Sequence, residues 1–245
     1  MYKRFLLVAL PIMGAMVVSA APIACPTGTV QDYTTTVNAA GGCFEDGLLF
    51  NQFQYLSTST GTAVALPSTA VAVAPLINLS GAGFGFQITG GFAAGPNSVS
   101  DGILQYQVTP FNSTALLTTL NVSFNGTATG SGIAGVSENY CLGGTVVPPG
   151  AGCGPGNLRN IFVQTSSGGT NLQSSATFAG VNSLTVSKDI QVNGGASGTA
   201  TISSVTNQFQ TGGGAVPEPG VTLLLGSGLI GLAVLGRQRL LTRSR

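Results

Sequence analysis

The sequence predicts an all-β protein: a single β-sandwich domain with a jelly-roll-like or Ig-like connection. An N-terminal signal helix and a C-terminal transmembrane helix flank it. Three observations lead there. Several runs in the middle of the chain alternate apolar and polar residues with period two, the pattern of a half-buried strand. Clusters of Gly, Asn, Ser and Pro break the chain between those runs. No window outside the two ends carries a helical period.

The first element is residues 1–20. Lys3 and Arg4 precede an apolar run from Phe5 to Val18, and the small residues Ser19, Ala20 and Ala21 follow. A basic flank, a short apolar stretch and a small-residue end make a secretory signal peptide, cut between Ala20 and Ala21. Cutting one residue later would put Pro22 first, which signal peptidase tolerates poorly. Cys25 after Pro22-Ile23-Ala24 also offers a lipoprotein reading, but Pro22 stands where a lipobox has Leu.

Residues 21–211 form the exported β domain. Leu104–Val108, Leu116–Phe124 and Leu184–Val192 are its clearest strands. In the second, Leu116, Thr118, Leu120, Val122 and Phe124 share one face. In the third, Leu184, Val186, Ile190 and Val192 share a face with Lys188, and the Lys188-Asp189 pair reads as a solvated edge strand. Leu48–Leu56, Ala70–Leu79, Phe84–Phe92, Asn160–Thr165, Ala176–Val181 and Thr199–Phe209 are weaker candidates. The glycine-rich stretch from Asn193 to Gly198 suits a hairpin turn between two long strands. About nine short strands without a fixed repeat fit a sandwich better than a solenoid.

Cys25, Cys43, Cys141 and Cys153 remain after signal removal. Export and an even count indicate disulfides. Three pairings are open; the local ones, Cys25 with Cys43 and Cys141 with Cys153, close short loops rich in Gly, Pro and Thr. Zinc binding would want Cys-x-x-Cys spacing or histidine, and neither occurs.

Residues 212–216 read as a glycine-rich linker, and residues 217–245 as a tripartite tail. Pro217-Glu218-Pro219 comes first, then an uncharged apolar stretch, residues 220–236, then Arg237, Arg239, Arg243 and Arg245. The apolar stretch is about 25 Å long as a helix at about 1.5 Å per residue, the short edge of what spans a membrane. The arginines keep their end cytoplasmic, so the β domain lies outside. The two prolines hold the Glu218 segment extended and out of the helix.

This tail resembles the PEP-CTERM sorting signal of Gram-negative bacteria. The resemblance implies recognition of Pro217, Glu218 and Pro219 by an exosortase, a membrane transpeptidase that discards the tail. It implies a membrane-anchored precursor in the inner membrane, then a cell-surface or extracellular protein. Substrates of that family accompany exopolysaccharide production, which implies a biofilm or envelope role and polysaccharide as a partner. The start of the domain, with Cys25, Tyr33, Cys43, Phe50, Phe53 and Tyr55, and the stretch Val186–Ile190 also resemble PEP-CTERM proteins, diffusely and without an activity attached.

Composition restricts the chemistry. The chain of 245 residues has 37 glycines, no histidine and no tryptophan, and 6% charged residues. Without histidine there is no Ser-His-Asp set and no common neutral metal ligand. From Ala21 to Val216 only Arg159 and Lys188 are basic, against Asp32, Glu45, Asp46, Asp101, Glu138 and Asp189, so no basic surface exists for nucleic acid. Glu45 and Asp46 are adjacent and would face opposite ways on a strand, which suits a turn beside Gly47. No cofactor, metal or catalytic residue is expected, and the protein is read as a non-enzyme.

Two functional classes remain. One is a structural or interaction protein of the cell surface or extracellular matrix. The other is a carbohydrate-binding module, whose aromatic surface would fall to Tyr33, Tyr55, Tyr106 and Tyr140 in the absence of Trp. Two of these tyrosines side by side on an exposed face would favour the second class. A pocket gathering Asp32, Glu45 and Asp46 would suggest calcium.

Overall fold

The computed structural model describes residues 21–76, 83–111, 114–144, 153 and 157–212. The signal segment 1–20 and the tail 217–245, with its expected membrane helix at 220–236, lie outside those residues. Among the described residues no helix is long and apolar enough to cross a membrane.

The chain opens with two short strands, β1 (Ile23–Ala24) and β2 (Gly28–Thr29). A short helix α1 (Val30–Asp32) follows and runs on into a π turn, Tyr33–Val37. Then come β3 (Cys43–Glu45), β4 (Leu48–Thr60), a 3-10 turn at Ser68–Ala70, β5 (Ala72–Leu76), β6 (Phe84–Ala94), β7 (Val99–Pro110) and β8 (Leu116–Thr129). The rest is β9 (Ile133–Leu142), β10 (Leu158–Ser166), β11 (Gly169–Asn171), β12 (Gln173–Val181), β13 (Leu184–Asn193) and β14 (Thr199–Gly212).

The strands form two stacked sheets in the orders β1-β3-β4-β7-β13-β9-β10-β11 and β12-β8-β14-β6-β5-β2. The inner ladders β6-β14-β8-β12 and β7-β13-β9-β10 have the strand order of a jelly roll, so the Ig-like alternative is excluded. β13 and β14 are central strands of different sheets. The segment Asn193–Gly198 is therefore not the expected hairpin turn but a crossover between sheets. Its glycines let it pack against the neighbouring loop: a Cβ on Gly194 would lie 1.8 Å from the Gly95 carbonyl oxygen. Asn97 donates from its backbone to the Gly195 carbonyl at 2.6 Å.

Bulges move apolar residues between faces, at Ser203 of β14 and in two strands that the sequence read otherwise. In β8 the pairing shifts between Gln210 and Thr211, where Thr119 and Leu117 are successive partners. The phase changes around Thr118, so Leu117 is buried with Leu120 and Val122, while Leu116 is half-exposed. The strict alternation expected from Leu116 onward fails there because a bulge adds one residue to the strand. In β4 the shift falls between Asn51 and Gln54, with Gln52 at φ 56°. Asn38 stands in for a strand partner beside it: its amide donates to the Phe53 carbonyl at 2.8 Å and accepts from the Phe53 N–H at 2.9 Å.

The sequence showed no helix in this domain, yet α1 forms because it is capped. The Thr29 hydroxyl accepts from the Asp32 N–H at 3.3 Å, and the Asp32 carboxylate accepts from the Thr29 N–H at 2.7 Å. The turn buries Val30, Tyr33 and Val37 in the core. The Glu45-Asp46-Gly47 segment is a tight hairpin turn as expected, with Asp46 and Gly47 both at positive φ, 44° and 81°.

Candidate functional site

The sorting residues Pro217, Glu218 and Pro219, the arginines 237, 239, 243 and 245, and Ala20 lie outside the described residues; Ala21 is the first described. The four cysteines are all bonded, Cys25 to Cys43 and Cys141 to Cys153, with Cα separations of 4.7 and 5.5 Å. The first bond ties the edge strand β1 to β3, which it pairs in parallel.

Tyrosine does not supply an exposed platform. Tyr33, Tyr106 and Tyr140 are buried, and Tyr55 is half-buried with its hydroxyl donating to the Leu66 carbonyl at 3.0 Å. Tyr33 and Tyr106 instead join Phe50, Phe53, Phe86 and Phe209 in an aromatic core, with Tyr106 stacked on Phe53 at 5.4 Å. Nor is a calcium pocket assembled. Asp32 is spent on its cap, whose backbone and hydroxyl hydrogen bonds from Thr29 hold its pKa down. Burial, and then the charge of Asp46, push Glu45 up. Among the described residues no group of three His, Cys, Asp or Glu side chains is placed to hold a metal.

The core contains a polar cluster. Lys188 is not on a solvated edge: β13 is central, and the side chain points between the sheets with no exposure. Its ammonium donates to Glu138 Oε2, and Glu138 is its direct cross-strand partner on β9. Glu138 Oε1 accepts from the Asn207 amide of the opposite sheet at 3.0 Å. The Tyr106 hydroxyl donates to Asn207 Oδ1, and the same Asn207 amide donates to the Asn121 carbonyl at 3.0 Å. All four side chains are fully buried. Burial lowers the Lys188 pKa, partly countered by Glu138, and raises that of Tyr106. Sequence reasoning missed Glu138 because it missed β9, where Ala134, Val136 and Tyr140 mark an inward face that Glu138 interrupts. Lys188 and Asn207 occupy the same kind of slot on β13 and β14. Opposite charges at inward positions of separate strands were the available signal.

The outer face of the eight-stranded sheet is a second site. Cross-strand pairing places Phe162, Ser137, Asp189, Ile103 and Leu56 in one row across β10, β9, β13, β7 and β4. Gln164, Gly135, Gln191, Asp101 and Thr58 form the next row. Gly135 and Ser137 are small, so β9 forms the floor of a trough. Phe162, Asn160 and Gln164 wall one side, and Asp189 and Gln191 the other, around a cavity of about 330 Å³. Phe162 is half-exposed at 51%. Asn160 is held by hydrogen bonds to Ser137 Oγ at 2.9 Å and Asn139 Oδ1 at 3.0 Å. Asp189 and Asp101 are diagonal neighbours, and each has a shielded Oδ1 without a partner. Burial, then the hydrogen bond and charge of Asp101, push Asp189 up to about 7.

The comparisons with known proteins decide the tail. Residues 215–239 match the PEP-CTERM protein-sorting motif. The chain carries a PEP-CTERM sorting signal. The match spans Pro217, Glu218, Pro219, Arg237 and Arg239 and leaves the jelly roll outside it. No curated protein matches the chain. Among solved structures, the chain is similar to TmCBM61 in complex with beta-1,4-galactotriose, at 14% identity and TM-score 0.31, covering 73% of this chain and 98% of that one. It is also similar to Trichoderma harzianum endoglucanase 3 of family GH12, at 11% identity and TM-score 0.23, covering 68% of this chain and 100% of that one. Both likenesses are too distant to transfer a ligand or an activity to this chain.

Proposed function

We propose that this is an exported surface or extracellular-matrix interaction protein, released from its membrane precursor by an exosortase and turning over no substrate. The observation that carries the reading is the PEP-CTERM motif at residues 215–239, at the end of a chain that also opens with a signal-like segment. Signal peptidase acts at Ala20–Ala21 and exosortase at the Pro217–Pro219 element. The arginines hold the tail inside until then. Two features favour a non-catalytic domain. The buried polar cluster has no access to a diffusing substrate. The Asp101 and Asp189 carboxyls interact with one another rather than standing apart on either side of a scissile bond. Cell fractionation of the wild type and a Glu218→Gln variant in an exosortase host tests the reading.

A second reading makes the jelly roll a carbohydrate-binding module, and the outer trough is what favours it. Amide, hydroxyl and carboxyl groups line a cavity of ligand size beside one exposed ring, Phe162. No basic side chain lies in the two central rows, so the ligand this face suits is a neutral glycan. Gel retardation by soluble polysaccharides tests that reading.

A further inference from the structure

We propose that Lys188 and Asn207 become joined by a self-formed amide bond, from Nζ to Cγ, which covalently ties the two sheets of the jelly roll. Lys188 lies on β13 of the eight-stranded sheet and Asn207 on β14 of the six-stranded sheet. Glu138 touches both reacting groups. Its Oε2 accepts from the Lys188 ammonium, and its Oε1 accepts from the Asn207 amide nitrogen at 3.0 Å. The Tyr106 hydroxyl donates to Asn207 Oδ1. A nucleophile, a base in contact with it, a carbonyl and a donor on that carbonyl's oxygen are the parts of an acyl transfer.

A buried ion pair alone explains two of these side chains but not the other two. Asn207 sits at an inward slot between Val205 and Phe209, where an apolar residue would pack without needing partners. Tyr106 meets Phe53, Phe86 and Phe209 at 5.4, 6.1 and 6.2 Å, so rings exclude water from the polar cluster. Desolvation favours the neutral amine of Lys188, the form that attacks.

The step balances without a cofactor or an oxidant. Lys188 passes a proton to Glu138 Oε2, and the freed lone pair on Nζ attacks Cγ of Asn207. The carbonyl electron pair moves onto Oδ1, where the Tyr106 hydroxyl steadies the charge. Glu138 delivers its proton to Nδ2 and then removes the extra proton from Nζ. The Cγ–Nδ2 bond breaks, the carbonyl reforms, and ammonia departs, taking up a proton as ammonium. Glu138 returns to its starting state. One lysine ammonium and one carboxamide have become one secondary amide and one ammonium ion.

Mass spectrometry tests this on the full chain, exported in a host without exosortase so that the tail stays attached, then reduced and denatured. The wild type is expected to weigh one ammonia less than its signal-processed sequence. Between Arg159 and Arg237 the only tryptic site is Lys188. Trypsin should therefore leave residues 160–237 as one linked species, with fragment ions that join Lys188 to Asn207. Asn207→Ala and Glu138→Ala should have full mass and be cut after Lys188. A wild-type chain of full mass, cut after Lys188, overturns the proposal, whether or not the variants fold. Loss of one water instead would place the amide on Glu138 and equally overturn it. An ammonia loss that survives in Asn207→Ala would do the same.

Discussion

Lys188 and Glu138 stand directly opposite each other across β13 and β9, both turned into the core and both without solvent exposure. Neither strand is an edge, and the pair is linked through Asn207 to the buried Tyr106 rather than lying at a wet margin. Such a pair specifies which inward slots must meet, and so it pins the register of the two strands.

The energetic consequence is asymmetric. Glu138→Leu, which also blocks the amide, leaves a buried lysine with neither bond nor counter-ion, and breaking such a pair costs about 3–5 kcal/mol. Lys188→Met alone does the same to Glu138. The double variant carries neither charge and should be more stable than either single one. Urea unfolding of the three variants checks this, and a double variant weaker than both singles would contradict it.

The Asp101–Asp189 pair makes stability depend on pH. The folded pKa of Asp189 is about 7, above its ordinary value of 3.8. A carboxyl with a raised pKa favours folding when protonated. Its contribution is complete below about pH 4 and is lost as pH rises through 7. The faces around it offer Ser137, Ile103 and Gln191 but no cation to offset the loss. Asp189→Asn should flatten this part of the profile and gain a few degrees of melting temperature at pH 8 relative to the wild type. Thermal melts at pH 5 and pH 8 decide it; equal pH slopes in both proteins would contradict the raised pKa of Asp189.

Glycan binding at the trough is read by electrophoresis in native gels. Hydroxyethylcellulose, xyloglucan or dextran should retard the full chain, and polygalacturonate should not. Phe162→Ala removes a half-exposed ring and should abolish the retardation. Phe44→Ala, which removes a ring stacked on Phe111 beside the β3–β4 turn, should leave it unchanged. Retardation by polygalacturonate alone would contradict the neutral-glycan reading.

Sorting is tested at Glu218. In an exosortase host the wild type should be shortened and leave the inner membrane. Glu218→Gln should keep its tail and stay in the membrane fraction. Deleting residues 237–245 should instead disturb orientation, because the positive end no longer resists translocation. Equal processing of the wild type and Glu218→Gln would reduce the motif to an anchor.

The fold class was legible because apolar alternation is a local property. Leu104, Tyr106 and Val108, or Leu184, Val186 and Ile190, announce their face within a few residues. What escaped depends on distant partners. β9 was hidden because Glu138 breaks its apolar face, and the residue that makes Glu138 tolerable is 50 positions away. The face change at Thr118 is invisible without β14 alongside. The glycines from Gly194 to Gly198 speak for a turn, but not for which sheet the next strand joins. The outer trough was equally unreadable, since it arises from small residues on β9 between larger ones on β10 and β13. The tail was the opposite case: its three parts follow one another in order, and no folding is needed to recognise them.

β14 is the last strand before the tail, and it is hydrogen-bonded on both sides, to β8 and to β6. While the sorting tail still holds the precursor, any pull on the domain from that end arrives at this strand. An edge strand would peel away from a single ladder under such a pull. From Ala200 to Phe209 such a force would have to shear two ladders together, after first freeing Gln210 to Gly212, which pair with β8 alone.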